Sequence, residues 1–180
     1  MSVINWGIIG LGKIANKFAT AFNQIKNSKL ISVASKNKEK LLEYQKKFNL
    51  DKNFCYDNYD DILANKNIDI IYIALPHSFH YEWIIKSLNH NKNVLTEKPA
   101  TINLDEIKKI NHKINEHKIF FAEGFMYRFH PQTNKLVEII KQNEIGEIQK
   151  MSSFFGKNII KKRNLFGFQK IKINKNNRIF

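Results

Sequence analysis

Residues 10–15 read Gly10-Leu11-Gly12-Lys13-Ile14-Ala15, and they follow the apolar run Val3–Ile9. Gly10 suits a tight turn from a strand into a helix, and Gly12 lets the backbone approach a pyrophosphate closely. Ala15 is small enough for the helix to pack tightly against the strand. The helix N-terminus then offers free N–H groups and a positive dipole end to phosphates. The stretch predicts a dinucleotide site formed by Gly10, Leu11, Gly12, Lys13 and Ile14.

Beyond this turn, apolar runs alternate with amphipathic stretches as far as about residue 122. Continuously apolar strands that alternate with helices indicate a parallel sheet covered on both faces. We predict six strands, at Val3–Ile9, Leu30–Ser35, Phe54–Tyr56, Asp69–Leu75, Asn93–Thr96 and Ile119–Ala122. We predict the intervening helices at Lys13–Lys26, Lys38–Phe48, Tyr59–Leu63, 80–90 and Leu104–Glu116. The predicted fold class is α/β, with a doubly wound parallel sheet.

The pattern changes after Glu123. Gln132–Gln142 is typical of a helix, and Glu147–Phe155 alternates like a half-exposed strand of an antiparallel sheet. We therefore predict two domains. Residues 1–122 form the dinucleotide-binding domain, and residues 123–180 form the start of a second, α+β domain with a mostly antiparallel sheet.

The net charge of +14 raises the question of nucleic-acid binding. Residues 151–180 carry eight basic residues and no acidic one, but only three of the 30 basic residues of the chain are Arg. Phosphate and base recognition favours the bidentate guanidinium of Arg over Lys. We predict no nucleic-acid partner, and a nucleic-acid-binding arm in this segment stays the third alternative.

Three features of composition predict a cytoplasmic protein without a membrane partner. No apolar run approaches the ~20 residues that span a bilayer. The N-terminus has no basic region or cleavage-like site of a secretory signal. Cys55 is the single cysteine, which excludes an internal disulfide and suits a reducing compartment.

The end of the second predicted strand bears on the choice between NAD and NADP. An NAD site usually has an acidic residue there, which holds the ribose 2′-hydroxyl. Here the strand ends at Ser35 and Lys36 follows it, with no acid before Glu39. Ser35 and Lys36 could instead bind a 2′-phosphate, so we predict NADP and leave NAD as the alternative.

Three segments follow later strands and therefore meet at the ligand-binding edge of the sheet. They are Leu75-Pro76-His77-Ser78-Phe79-His80, Glu97-Lys98-Pro99 and Glu123-Gly124-Phe125-Met126-Tyr127-Arg128. Lys98 could stabilise a developing alkoxide, and Glu97 could orient the Lys98 side chain. Pro99 allows a cis peptide bond after Lys98. We predict Lys98 and His80 as catalytic residues, and Leu75, Pro76, His77, His80, Glu97 and Lys98 as additional cofactor contacts.

His77 and His80 also suggest a metal pair. Zinc sites need a third ligand, and no Cys or acidic cluster accompanies these two residues. We predict no metal, and we expect His80 to line the cofactor or substrate cleft rather than to be buried for a structural role.

These motifs together resemble the glucose–fructose oxidoreductase/inositol dehydrogenase/MocA superfamily. The resemblance rests on Trp6-Gly7-Ile8-Ile9-Gly10-Leu11-Gly12, on Pro76 with His80, on Glu97-Lys98-Pro99, and on Glu123-Gly124-Phe125-Met126-Tyr127-Arg128-Phe129-His130-Pro131. The last string resembles the branch of NADP-dependent dihydrodiol and D-xylose dehydrogenases.

The resemblance implies a Rossmann domain followed by a domain with a large, mostly antiparallel sheet that often mediates oligomers. It implies that Lys98 is an active-site group, that Tyr127 and Arg128 lie near the substrate, and that the full-length protein is a homo-oligomer. In the family, a glycine-rich segment followed by Asp and then His or Tyr lies further on, and nothing after Phe180 supplies it. We therefore expect a C-terminally truncated family member.

The leading hypothesis from the sequence is an NAD(P)-dependent oxidoreductase acting on a sugar, polyol or related diol or carbonyl compound, of which this chain is the N-terminal part. The alternative is a non-catalytic dinucleotide-binding or regulatory module.

Overall fold

The structure is a computed structural model that describes residues 3–154, and its core is one parallel sheet. The sheet has six strands, β1 (Ile4–Ile9), β2 (Ser28–Ala34), β3 (Cys55–Tyr56), β4 (Ile70–Ile73), β5 (Asn93–Thr96) and β6 (Phe121–Glu123). They lie in the order β3-β2-β1-β4-β5-β6, and each adjacent pair is parallel. This is the strand order of the Rossmann fold. The predicted doubly wound α/β fold is confirmed.

The helices connect these strands and lie close to the predicted positions. They are α1 (Lys13–Ala21), α2 (Lys38–Lys47), α3 (Tyr59–Ala64), α4 (His80–Asn89), α5 (Leu104–His117) and α6 (Pro131–Lys141). The largest difference is at α1, which was predicted to reach Lys26 but gives way to a 3-10 turn at Phe22–Gln24. The helix ends early because the chain must reach the start of β2 beside β1. Asn27, just before β2, already accepts a hydrogen bond through its carbonyl oxygen from Ile4 N of β1 at 2.9 Å.

Both faces of the sheet are covered by apolar side chains. Consecutive residues of a strand point to opposite faces. Ile8 accordingly packs in the cluster under α1 and α2, whereas Ile9 packs in the cluster under α3, α4 and α5. Fully burying such a side chain contributes about 1.5–3 kcal/mol. This double burial explains why the strands are continuously apolar in the sequence.

The chain divides into two compact units, Met1–Asn134 and Lys135–Phe180. The domain division between residues 122 and 123 stays a prediction. The strand predicted over Glu147–Phe155 is wrong for residues 147–154, which contain no strand, and Phe155 lies outside the described residues. A strand needs a neighbour for its backbone groups, and within residues 3–154 none pairs with this stretch. The basic residues from Lys157 to Arg178 also lie outside the described residues.

Two other features are absent from residues 3–154. None of the helices there is both long enough and apolar enough to cross a membrane. In the same part of the chain, no three His, Cys, Asp or Glu side chains come together as a metal site would require.

Candidate functional site

The carboxyl ends of five strands lie in register along one edge of the sheet. Ile9 pairs with Ala34 and with Ile73, Ile73 pairs with Thr96, and Thr96 pairs with Glu123. Neighbouring strands are about 4.8 Å apart, so this edge is about 20 Å long. The structure therefore brings the glycine turn and the segments after β2, β4, β5 and β6 to one edge.

The glycine turn at the end of β1 requires its first glycine for backbone reasons. Gly10 has a φ of +89°, and a Cβ there would lie 2.7 Å from the carbonyl oxygen of Ala74. A side chain at this position would be strained and would collide with the end of β4. Gly10 therefore allows β1 to turn closely past β4.

Gly12 differs, because its backbone is ordinary and its surroundings are open. It has φ −86° and ψ −174° at the N-cap of α1, and a Cβ there would meet nothing within 4 Å. The first-turn N–H groups of a helix have no intrahelical partner, and no acidic residue occupies the first turn of α1. This open space beside unpaired N–H groups fits a pyrophosphate. Lys13 and Ile14 are exposed there, whereas the Leu11 side chain is buried.

Tyr44 of α2 supports this turn and was not singled out from the sequence. Its hydroxyl donates to the Gly12 carbonyl oxygen at 3.1 Å. Burial, with a smaller contribution from Glu43, raises the pKa of Tyr44 to about 12, so the hydroxyl remains a donor at neutral pH. In the sequence Tyr44 stands three residues after Leu41 on the apolar side of α2, a spacing that indicates only a core residue.

The end of β2 carries Ser35 and Lys36 in different environments. Ser35 is buried, and its Oγ accepts a hydrogen bond from Asn37 N at 3.1 Å. Lys36 is exposed, with Nζ 5.8 Å from the centroid of the Tyr59 ring. Lys36 is therefore the group at this end that is free to meet an anionic ligand.

The segment after β4 corrects one expectation. Leu75 is half-buried, and Pro76 and His77 are exposed at the edge. His80, however, has no exposed surface. Its Nδ1 lies 2.7 Å from Pro99 O, and its Nε2 lies 2.8 Å from Leu75 O. The expectation that His80 lines the cleft rather than being buried is wrong, because both ring nitrogens face backbone carbonyls.

The segment after β5 places Glu97 and Lys98 in different directions. Glu97 Oε1 accepts a hydrogen bond from the Tyr72 hydroxyl at 2.6 Å. Burial, followed by the contact with Glu97, raises the pKa of Tyr72. Lys98 is exposed and its peptide bond to Pro99 is cis. Among residues 3–154, no salt bridge joins Glu97 to Lys98, and the orientation of Lys98 by Glu97 stays a prediction.

The last residue of β6 holds the loop that follows Lys98. Glu123 Oε1 accepts a hydrogen bond from Ala100 N at 2.7 Å. In the sequence Glu123 stands at the start of the motif Glu123–Arg128, and nothing in that pattern indicates its partner. Tyr127 and Arg128 lie in an exposed 3-10 turn, Met126–Phe129. Their placement near the substrate stays a prediction.

A cavity of about 450 Å³ opens beside Glu97 and Glu123. It lies between α1 and the ends of the later strands, and most of its walls are apolar. Its other lining residues are Ile14, Lys17, Phe18, Ala21, Tyr72, Leu95, Gly124, Met126 and Phe129.

Comparison with known proteins identifies similar chains. The model of the Gfo/Idh/MocA family, an oxidoreductase family with an NAD-binding Rossmann fold, matches residues 4–125. A trans-1,2-dihydrobenzene-1,2-diol dehydrogenase from Mus musculus is 30% identical over 155 residues, which cover 85% of this chain and 46% of the mouse protein. The chain spans about half the length of the curated relatives it matches.

Solved structures give the same result for the fold. Scyllo-inositol dehydrogenase from Lactobacillus casei, with bound NAD(H) and scyllo-inositol, matches with a TM-score of 0.75 and 28% identity over 81% of this chain and 43% of that one. A 3-ketoreductase from Actinomadura kijaniata, in complex with TDP-benzene and NADP, matches with a TM-score of 0.73 and 27% identity over 82% of this chain and 46% of that one.

Proposed function

This chain belongs to the Gfo/Idh/MocA family of oxidoreductases with an NAD-binding Rossmann fold, and from that premise we propose that it binds a nicotinamide dinucleotide as the N-terminal part of an oxidoreductase. The substrate is a sugar, polyol or related diol or carbonyl compound, and the reacting group is a CH–OH or its carbonyl. The open space at Gly12, on the same edge of the sheet as Lys98, is the observation that carries this proposal. The diol and inositol in the names of the relatives support the substrate class.

The cofactor would lie along the carboxyl edge of the sheet. The backbone of Gly10, Leu11 and Gly12, with the first turn of α1 at Lys13 and Ile14, would hold the pyrophosphate. Leu75, Pro76 and His77 would border the path of the cofactor from β1 toward β5. When bound, the nicotinamide supplies the acceptor or donor of a hydride.

We propose NADP as the preferred cofactor. The support is the acid-free stretch Ser35–Lys38 and the exposed ammonium of Lys36. Lys36 would pair with the 2′-phosphate, while Ser35 shapes the turn through its contact with Asn37 N.

Lys98 is the catalytic residue of this proposal. Its exposed ammonium can donate a hydrogen bond to the substrate oxygen and stabilise negative charge that develops there. Tyr127 and Arg128 would contact the substrate from the next segment along the edge. His80 has no free ring nitrogen to offer a substrate, so we reassign it from catalysis to a structural contact with the backbone at Leu75 O and Pro99 O.

We further propose that the full-length protein is a cytoplasmic homo-oligomer. The assembly rests on the family resemblance alone. The compartment is supported by the lone Cys55, whose thiol pKa is raised by burial and by Asp51, so that it stays a protonated thiol at neutral pH.

Protection of Lys98 from an amine-reactive label tests the proposal on this chain. We expect NADPH to bind saturably, as followed by nicotinamide fluorescence, and to reduce labelling of Lys98 at least fivefold. The matched control ligand is 2′,5′-ADP, which lacks the nicotinamide and should leave Lys98 accessible. A folded chain that shows neither binding nor protection would contradict the proposal.

A further inference from the structure

Three contacts hold the backbone around Lys98, and one of them uses a carboxylate from another strand. Glu97 N donates to Ile73 O at 2.9 Å, which continues the pairing of β5 with β4. His80 contacts the Pro99 carbonyl oxygen. Glu123 Oε1 accepts from Ala100 N at 2.7 Å. Lys98 is therefore followed by two residues whose backbones are each anchored by a side chain.

The Glu123 contact is built by the end of β6. Thr96 pairs with Glu123, and Gly124 N donates to Thr96 O at 2.8 Å. A Cβ on Gly124 would lie 3.2 Å from that same oxygen, so glycine allows the close approach. From this position the Glu123 carboxylate reaches past the end of β5 to the amide of Ala100.

The Ala100 amide depends on this partner. Ala100 is 2% exposed, so water has little access to it. A hydrogen bond from a backbone N–H to a carboxylate is shorter and stronger than one between neutral groups.

We propose that Glu123 is a positioning residue, whose carboxylate holds the Ala100 amide and thereby fixes the course of the backbone from which Lys98 projects. This inference rests on the proposed function, because it matters for catalysis only if Lys98 is the catalytic residue. Its proposed effect on Lys98 passes through the backbone bond to Ala100.

Two measurements on the cofactor-free chain test this directly. Amide hydrogen exchange in the wild type should show Ala100 protected at least tenfold relative to an unprotected amide. The Cε resonance of Lys98, observed by NMR, should move in Glu123→Ala, which removes the acceptor. It should return toward the wild-type position in Glu123→Gln, which keeps an acceptor oxygen.

Asp51→Ala is the matched control. Asp51 Oδ1 also accepts a backbone hydrogen bond, from Asn53 N at 2.9 Å. Asp51 comes before β3, however, and therefore lies toward the amino ends of the strands, away from Lys98. This variant should leave both the Ala100 exchange rate and the Lys98 resonance unchanged.

The outcomes separate the inference from the proposed function. An Ala100 amide that exchanges freely in the wild type, or a Lys98 resonance unmoved in a folded Glu123→Ala, overturns the role of Glu123. If Glu123→Ala does not fold, the wild-type exchange rate and the Lys98 resonance of Glu123→Gln decide the question instead. Lack of NADPH protection at Lys98 in the wild type contradicts only the proposed function.

Discussion

At the scale of single residues, Gly10 and Gly12 have different requirements although both belong to one motif. Gly10 is needed by the fold, because its φ is positive and its neighbour is a backbone carbonyl. Gly12 has an ordinary φ and faces open space. The motif therefore combines one residue selected by the turn with one that leaves room for a ligand.

Alanine at these two positions should have separable effects. Gly10→Ala should lower the free energy of unfolding by about 1–3 kcal/mol because of backbone strain and the contact with Ala74 O. Gly12→Ala should leave stability unchanged or raise it by about 0.4–1 kcal/mol, yet weaken NADPH binding at least tenfold, or about 1.4 kcal/mol. Denaturant unfolding and a fluorescence titration measure the two effects. Equal loss of stability in both variants would contradict this division.

Lys36 is the residue on which the proposed choice of NADP depends. Lys36→Ala should weaken 2′,5′-ADP binding by roughly 1.5–3 kcal/mol, the loss of one charge-assisted contact, and leave 5′-AMP binding nearly unchanged. Lys38→Ala is the matched control, since Lys38 Nζ lies 3.9 Å from Asp57 instead. Calorimetric titration of the wild type and both variants with each nucleotide measures these affinities. Equal affinity for the two nucleotides in the wild type would show that no 2′-phosphate site exists here.

At the scale of elements, α2 connects the cofactor turn to the core. Its apolar side packs under the sheet and carries Tyr44, which is 1% exposed. The Tyr44 hydroxyl reaches the carbonyl of Gly12, at the N-cap of α1. The position of α2 therefore helps to fix the start of α1, where the pyrophosphate would bind.

Tyr44→Phe should lower the free energy of unfolding at pH 7 by about 0.5–1.5 kcal/mol. It should also change the pH dependence. The folded pKa is about 12 and the ordinary value is 10.0, so the folded state keeps a proton that the unfolded state loses. The contribution of Tyr44 to stability is thus complete below pH 10 and falls as the pH rises to 12.

Urea unfolding between pH 7 and pH 12 measures this effect, and the decline above pH 10 should be shallower in Tyr44→Phe. Tyr127→Phe is the control, because Tyr127 is 62% exposed. Its unfolding free energy should stay within about 0.5 kcal/mol of the wild type. Parallel curves for Tyr44→Phe and the wild type would mean that burial of Tyr44 does not control its ionisation.

At the scale of the whole molecule, the first compact unit continues past the predicted boundary to Asn134. Residues just after position 122 complete the sheet edge, through Glu123 to Ala100 and Gly124 to Thr96. A cut at residue 122 removes both contacts, whereas a cut at residue 134 keeps them.

We expect the fragment 1–134 to melt at a higher temperature than the fragment 1–122. Two hydrogen bonds at about 1 kcal/mol each correspond to a difference in Tm of roughly 5–10 °C. Differential scanning calorimetry of the two purified fragments provides the measurement. Identical melting temperatures would place the boundary at residue 122 after all.

Much of the fold was predictable because its signals are local. The periodicity of hydrophobic residues, together with the turn residues, locates the strands and helices within a few positions. The glycine turn identifies the edge of the sheet where ligands collect. The helix α1 was predicted too long because its end depends on β2 pairing beside β1. The strand at Glu147–Phe155 was predicted from alternation alone, but a strand also requires a neighbour.

The order of the elements, the dinucleotide turn and the position of Lys98 after β5 are all encoded in local sequence patterns. The side chains that hold this site are identified by the folded structure instead. Tyr44 meets Gly12 across 32 residues, Glu97 meets Tyr72 across 25, and Glu123 meets Ala100 across 23. His80 is likewise buried against Pro99, 19 residues away. The physical reason is that a side chain after a strand can turn toward either face of the sheet, and packing between distant segments selects its direction and its partner.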